Sequence, residues 1–161
     1  MISQPVLEAA LDKPVGRDEA IIAKALRILE GRAVSGGPLL SDPEVAGRFF
    51  RLRLGSETRE HFDVAFLDTR NRLITVERLF SGSLDGAVIH PRVVVQRALA
   101  QNAAAVLLAH NHPSGHCEPS AADRAITSRL KQALALVEVR VLDHFVVAAD
   151  RSTSMAQLGH L

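Results

Sequence analysis

The chain has no tryptophan, no tyrosine and only one cysteine in 161 residues. Without those two aromatics, stacking on nucleic-acid bases would fall to Phe, His and Arg alone. A single cysteine, Cys117, excludes an internal disulfide and fits a reducing compartment, so the cytoplasm is the expected location. No apolar run approaches the roughly 18–20 residues needed to span a bilayer. Met1 to Leu11 lacks the basic start and apolar core of a secretory signal, and no membrane partner is expected. Net charge is also scarce: 19 Lys and Arg against 18 Asp and Glu leave +1 with histidines neutral. Bulk electrostatics therefore gives no support for a DNA partner, which would need a local basic patch. Apolar residues are plentiful, at 47% against 23% charged, enough for a folded domain with a substantial core.

Periodicity sets out the elements. Arg17 to Glu30 repeats Ile21, Ile22, Ala25, Leu26, Ile28 and Leu29 at helical spacing, with Gly31 placed to end the helix. Gly31 to Pro38 reads as a linker, so residues 1–40 form an N-terminal helical segment and residues 41–161 the main domain. Ser41-Asp42-Pro43-Glu44 opens a helix expected to run to about Leu54 and stop at Gly55. From His61 the period changes to two, with Phe62, Val64 and Phe66 alternating with Asp63, Ala65 and Leu67. Asp68 to Asn71 reads as a turn, Leu73 to Phe80 as the return strand, and Ser81 to Gly86 as a loop. Pro91 opens a helix through about Gln101, and Ala103 to Ala109 is an apolar run suited to a strand covered on both faces. A helix from Ala121 to about Leu136 and a strand from Val139 to Val147 follow, before a short mixed end. Strands alternating with helices imply an α/β or α+β sandwich.

The chemistry concentrates in His110-Asn111-His112-Pro113-Ser114-Gly115 and the following Pro119-Ser120-Ala121-Ala122-Asp123. Residues i and i+2 of an extended chain point to one side, so both imidazoles can reach one point at the end of a buried strand. His, His and Asp are ligand types that hold a catalytic Zn²⁺ while leaving a position for water. Each part has a plainer explanation. Two loop histidines need no metal, and Ser-x-x-Asp ahead of a helix is a capping box in which the carboxylate reaches back to the chain. The two uses of Asp123 are compatible, because a rigid first turn can present it towards the histidines.

His-x-His-x7-Ser-x2-Asp is similar to the signature of the JAMM (MPN+) metalloproteases, and His110, His112, Ser120 and Asp123 fall on it without a gap. The wider text resembles the RadC family of that group: Leu107 to Gly115, Glu118-Pro119-Ser120, Leu142-Asp143-His144, His90-Pro91-Arg92 and Asn102 to Ala105. The resemblance spans roughly Ser41 to the C-terminus. It implies a cytidine-deaminase-like JAB/MPN fold, a three-layer αβα sandwich with a mixed sheet. It also implies Zn²⁺-dependent hydrolysis of a peptide or isopeptide bond in a protein or peptide substrate. By that resemblance His110, His112 and Asp123 hold the metal, and Ser120 supports the oxyanion. Glu60 then acts as the acid and base, with Glu57, Glu77 and Glu118 as alternatives.

His116-Cys117 departs from the RadC pattern, which usually has Asp-Pro or similar there. Either side chain could add a ligand, and a thiolate at the metal would make the site structural. His144 is a candidate for orienting a ligand, or an ordinary core histidine. The triplet His110-Asn111-His112 is not the dispersed signature of the HNH nucleases. The alternative from another class is a non-catalytic, metal-binding or DNA-repair-associated interaction module. Family members carry a longer N-terminal helical region, whereas only about 40 residues precede the domain here, which weakens a DNA-binding expectation.

Overall fold

The computed structural model of the chain describes residues 16–34, 39–82 and 88–161. Among the described residues, four helices and five strands follow in the order α1 (Arg17–Val34), α2 (Pro43–Leu54), β1 (His61–Leu67), β2 (Leu73–Ser81), α3 (Pro91–Ala100), β3 (Ala105–Asn111), α4 (Ala121–Ala135), β4 (Arg140–Val147) and β5 (Ser152–Ser154). The strands form one sheet in the order β2-β1-β3-β4-β5. Only β3 and β4 run parallel, joined by α4 as crossover; the other neighbours are antiparallel. The sheet is therefore mixed, as expected.

Strand alternation sorts side chains into two layers. Phe62, Val64 and Phe66 of β1, with Val106 and Leu108 of β3, pack against Val94 and Ala98 of α3 and Leu130 and Leu134 of α4. Ala65, Leu67, Leu107, Ala109, Phe145 and Val147 pack on the opposite side against Ala46, Phe49, Phe50 and Leu54 of α2. Helices thus cover both faces, giving the αβα sandwich. Full burial of each Val, Leu or Phe among them is worth about 1.5–3 kcal/mol. Both faces of β1 are covered, so its period-two pattern does not mark a half-exposed strand: all its residues but His61 are buried. Asp63 is fully buried there, and its carboxylate accepts from Arg53 Nε at 3.0 Å and Arg78 Nε at 3.2 Å.

Helix α2 starts as its sequence implies, with Asp42 Oδ1 accepting from the Glu44 N–H at 2.8 Å and Pro43 in the first turn. Two elements differ from expectation in their bounds, and one strand is added. Helix α1 passes through Gly31 and ends at Val34, because one glycine costs a helix only about 1 kcal/mol. The remainder of the expected linker, residues 35–38, lies outside the described residues, as do residues 83–86 of the expected loop after β2. The apolar strand is shifted two residues on, to Ala105–Asn111, because pairing with β1 and β4 continues beyond the apolar letters. The short mixed end adds β5, paired to Phe145, Val146 and Val147. Among the described residues no helix is long and apolar enough to cross a membrane.

Candidate metal centre

The shift in β3 matters because it places His110 inside the strand. His110 continues the parity of Val106 and Leu108, so its ring emerges on the face covered by α3 and α4. His112 follows just after the strand, its N–H bonded to Val147 O at 2.9 Å. The chain then turns through Pro113-Ser114-Gly115, with Gly115 N–H donating to His112 O at 3.0 Å. Gly115 has φ 84°, a left-handed conformation that side chains disfavour. The turn brings the His116 carbonyl back to within 2.8 Å of His112 Nδ1.

Asp123 arrives on the first turn of α4, which carries the complete capping box. Asp123 N–H donates to Ser120 Oγ at 3.1 Å, and Ser120 N–H donates to Asp123 Oδ2 at 2.7 Å. The Ser120 hydroxyl also donates to Asp123 Oδ2, at 2.6 Å. With Oδ2 committed to the cap, Oδ1 is turned to His110 Nε2 at 3.1 Å, while Oδ2 lies 3.6 Å from His112 Nε2. The two Nε2 atoms are 2.9 Å apart. The cap and the convergence are therefore both present on one carboxylate.

Hydrogen-bond partners fix which ring nitrogens carry protons. A backbone carbonyl only accepts, so the Thr127 hydroxyl donates to Asp123 O at 2.6 Å. Its oxygen is 2.6 Å from His144 Nδ1 and must accept there. His144 Nε2, at 2.8 Å from His110 Nδ1, then receives that nitrogen's proton. His110 Nε2 is left with a bare lone pair. By the same rule His112 Nδ1–H donates to His116 O, and its Nε2 is bare as well. Two lone pairs and a carboxylate oxygen at these separations repel unless a cation or a proton lies among them. Tetrahedral Zn²⁺ at ordinary bond lengths needs ligand atoms about 3.3 Å apart. The two Nε2 atoms at 2.9 Å and His110 Nε2 to Asp123 Oδ1 at 3.1 Å are near that spacing, and one ligand atom from each of the three residues lies within 4.8 Å of the others.

The ionisation pattern agrees. Burial by itself would raise Asp123, but the facing His110 and His112 rings, once a proton replaces the cation at Nε2, hold its carboxyl far below the usual range. His112 is raised, first because a proton taken up at its Nε2 is shared with Asp123, and against the effect of burial. The His116 carbonyl and the charges of Asp123 and Glu60 add to the rise. His144 is fully buried and held well below its ordinary value by desolvation and then by His110, so it stays neutral in the proton chain.

His110, His112 and Asp123 therefore form a group that could hold a metal ion. Glu60 lies on the partly buried segment before β1, close enough for its charge to act on His112. Of the alternatives, Glu57 pairs with Arg78 at 2.7 Å and Glu77 with Arg97 at 2.7 Å, and Glu118 is exposed. Cys117 is buried, its thiol 3.4 Å from Arg151 O and raised first by desolvation. It is not in the ligand group, and His116 contributes its carbonyl, not its ring. Sequence reading missed Thr127. Its only signal was its place one helical turn beyond Asp123, on the same face of α4.

The chain is similar to several curated proteins. A "UPF0758 protein" of Xanthomonas oryzae pv. oryzae (strain PXO99A) is 55% identical over 129 residues, covering 80% of this chain and 57% of its own length. One from Xanthomonas campestris pv. campestris (strain 8004) is 56% identical over 123 residues, 76% of this chain and 55% of its own length. A third, from Ectopseudomonas mendocina (strain ymp), is 51% identical over 141 residues, 88% of this chain and 62% of its own length. The chain thus spans less than two thirds of these curated relatives. Residues 40–160 match the RadC-like JAB domain. With both helical layers, the mixed sheet and the His-His-Asp group in place, the chain belongs to the RadC-like JAB domain family.

Proposed function

We propose that this domain is a metal-dependent hydrolase of peptide or isopeptide bonds, with Zn²⁺ as its ion and a protein or peptide as its substrate. The observation carrying this reading is the convergence of His110 Nε2, His112 Nε2 and Asp123 Oδ1, both nitrogens stripped of hydrogen by fixed partners behind them. Three protein ligands of N and O type suit catalytic zinc, whereas structural zinc sites enlist four. A divalent ion held there supplies a low-pKa water and a polarised carbonyl. Glu60 takes a proton on its carboxylate and returns it to the leaving nitrogen. Ser120, exposed at the start of α4, turns its hydroxyl from Asp123 Oδ2 towards the negative charge that develops on the carbonyl oxygen.

The test compares wild type with Glu60→Gln on internally quenched peptides and isopeptide-linked conjugates, with bound zinc assayed in the same samples. The expected result is full zinc content in both and turnover reduced at least about 100-fold in the variant. Equal turnover, or none in zinc-loaded wild type across the panel, would overturn the hydrolase reading and leave an interaction module.

A further inference from the structure

The residue between the two histidines has its own task. β1 and β3 pair as a backbone ladder whose last rung is Phe62 opposite His110. The next rung would set His61 against Asn111, but Asn111 supplies its side chain there instead. Its Oδ1 accepts the His61 N–H at 2.8 Å, and its Nδ2 donates to Arg59 O at 2.8 Å, with a longer contact to Glu57 O at 3.4 Å. The orientation is unambiguous, because His61 N only donates and Arg59 O only accepts. One carboxamide thus grips the backbone on both sides of Glu60, in the manner of a peptide group. The carbonyl of Glu60 itself takes the Gly82 N–H at 2.8 Å. Asn111 is 2% exposed, so its polar atoms have no solvent alternative. Parity explains the placement: His110 faces α4, and Asn111, one residue on, faces the segment that links α2 to β1.

We infer that Asn111 is a positioning residue for Glu60, its amide coupling the strand end that presents His110 and His112 to the segment that presents the carboxylate. This inference rests on the proposed role of Glu60. Only an amide both donates and accepts at this reach; a carboxylate would face Arg59 O with no hydrogen, and an apolar group would take the partner from both backbone groups.

The test uses the full chain loaded with Co²⁺ as a spectroscopic probe, in wild type, Glu60→Gln, Asn111→Leu and the double variant. The pH profile of the cobalt visible spectrum is recorded for each, and amide exchange of the metal-free chains is measured by NMR. The expected result is one Co²⁺ per chain throughout, with the profile midpoint displaced equally in both single variants and no further in the double variant. Exchange at the His61 amide should accelerate at least about tenfold in Asn111→Leu, with the β3 amides unchanged. Asn111→Ala replaces the leucine variant if the latter does not fold. A displaced profile in Glu60→Gln with a wild-type profile in Asn111→Leu overturns the positioning role and leaves Glu60 as the base. A wild-type profile in Glu60→Gln overturns the role of Glu60, and the positioning role with it.

Discussion

A hydroxyl on α4 decides which nitrogen of His110 is free. Because Thr127 must donate to Asp123 O, the proton direction is set through His144 to His110 Nδ1, and Nε2 is left bare. Removing that terminus should weaken the metal without removing a ligand. Thr127→Val is predicted to lower Zn²⁺ affinity about 10- to 100-fold by competition titration, with the helix intact. Unchanged affinity would count against the proton chain. The same geometry sets a pH dependence. His112 is raised by Asp123, so the proton it holds competes with the metal. Affinity should climb as pH rises past about 6.5 and level only after His112 has lost its proton. An affinity flat between pH 6 and 8 would contradict this sign. At this scale the sequence was readable where residue types state their chemistry, as in the three ligands. It was unreadable for Thr127, since hydroxyls on helices are common and its use depends on a strand 17 residues later.

The elements hold the ligands at fixed offsets because β3 is central and α4 is its crossover to β4. The apolar run of β3, the proline starts of α2 and α3 and the box at Ser120 are all legible in the sequence. What was not legible was the burial of β1, since alternation with Asp63 looks the same in a half-exposed strand. The charge survives in the core because Arg53 and Arg78 reach it from α2 and β2. Asp63→Ala should therefore cost about 3 kcal/mol in denaturant unfolding, by removing the fully buried carboxylate that Arg53 and Arg78 share, although Arg78 keeps Glu57. A loss below about 1 kcal/mol would show that the pair is not needed to dock α2 on the sheet. Nor did glycine alone forecast the end of α1: Gly31 is tolerated inside it.

For the whole molecule, two helical layers clasp a mixed sheet, and the candidate centre sits where β3 leaves the sheet beside the start of α4. Its ligands come from separate elements, so an ion bound there ties the folded arrangement together and has no such partner in the unfolded chain. Zinc at a hundredfold excess over its Kd should raise the unfolding free energy by about 2.7 kcal/mol, and a chelator should reverse the rise. The fold class was legible because helices and strands alternate along the chain, and the resemblance named its architecture. Substrate choice was not, because it depends on surface shape that no residue pattern encodes.

The most direct measurement is elemental analysis of purified wild type, Glu60→Gln, His112→Ala and Asp123→Ala after exposure to equimolar Zn²⁺ and desalting, with circular dichroism on the same samples. The account predicts one zinc per chain in the first two, none in the last two and the same folded spectrum in all four. Zinc retained by both ligand variants, or absent from folded wild type, would contradict it.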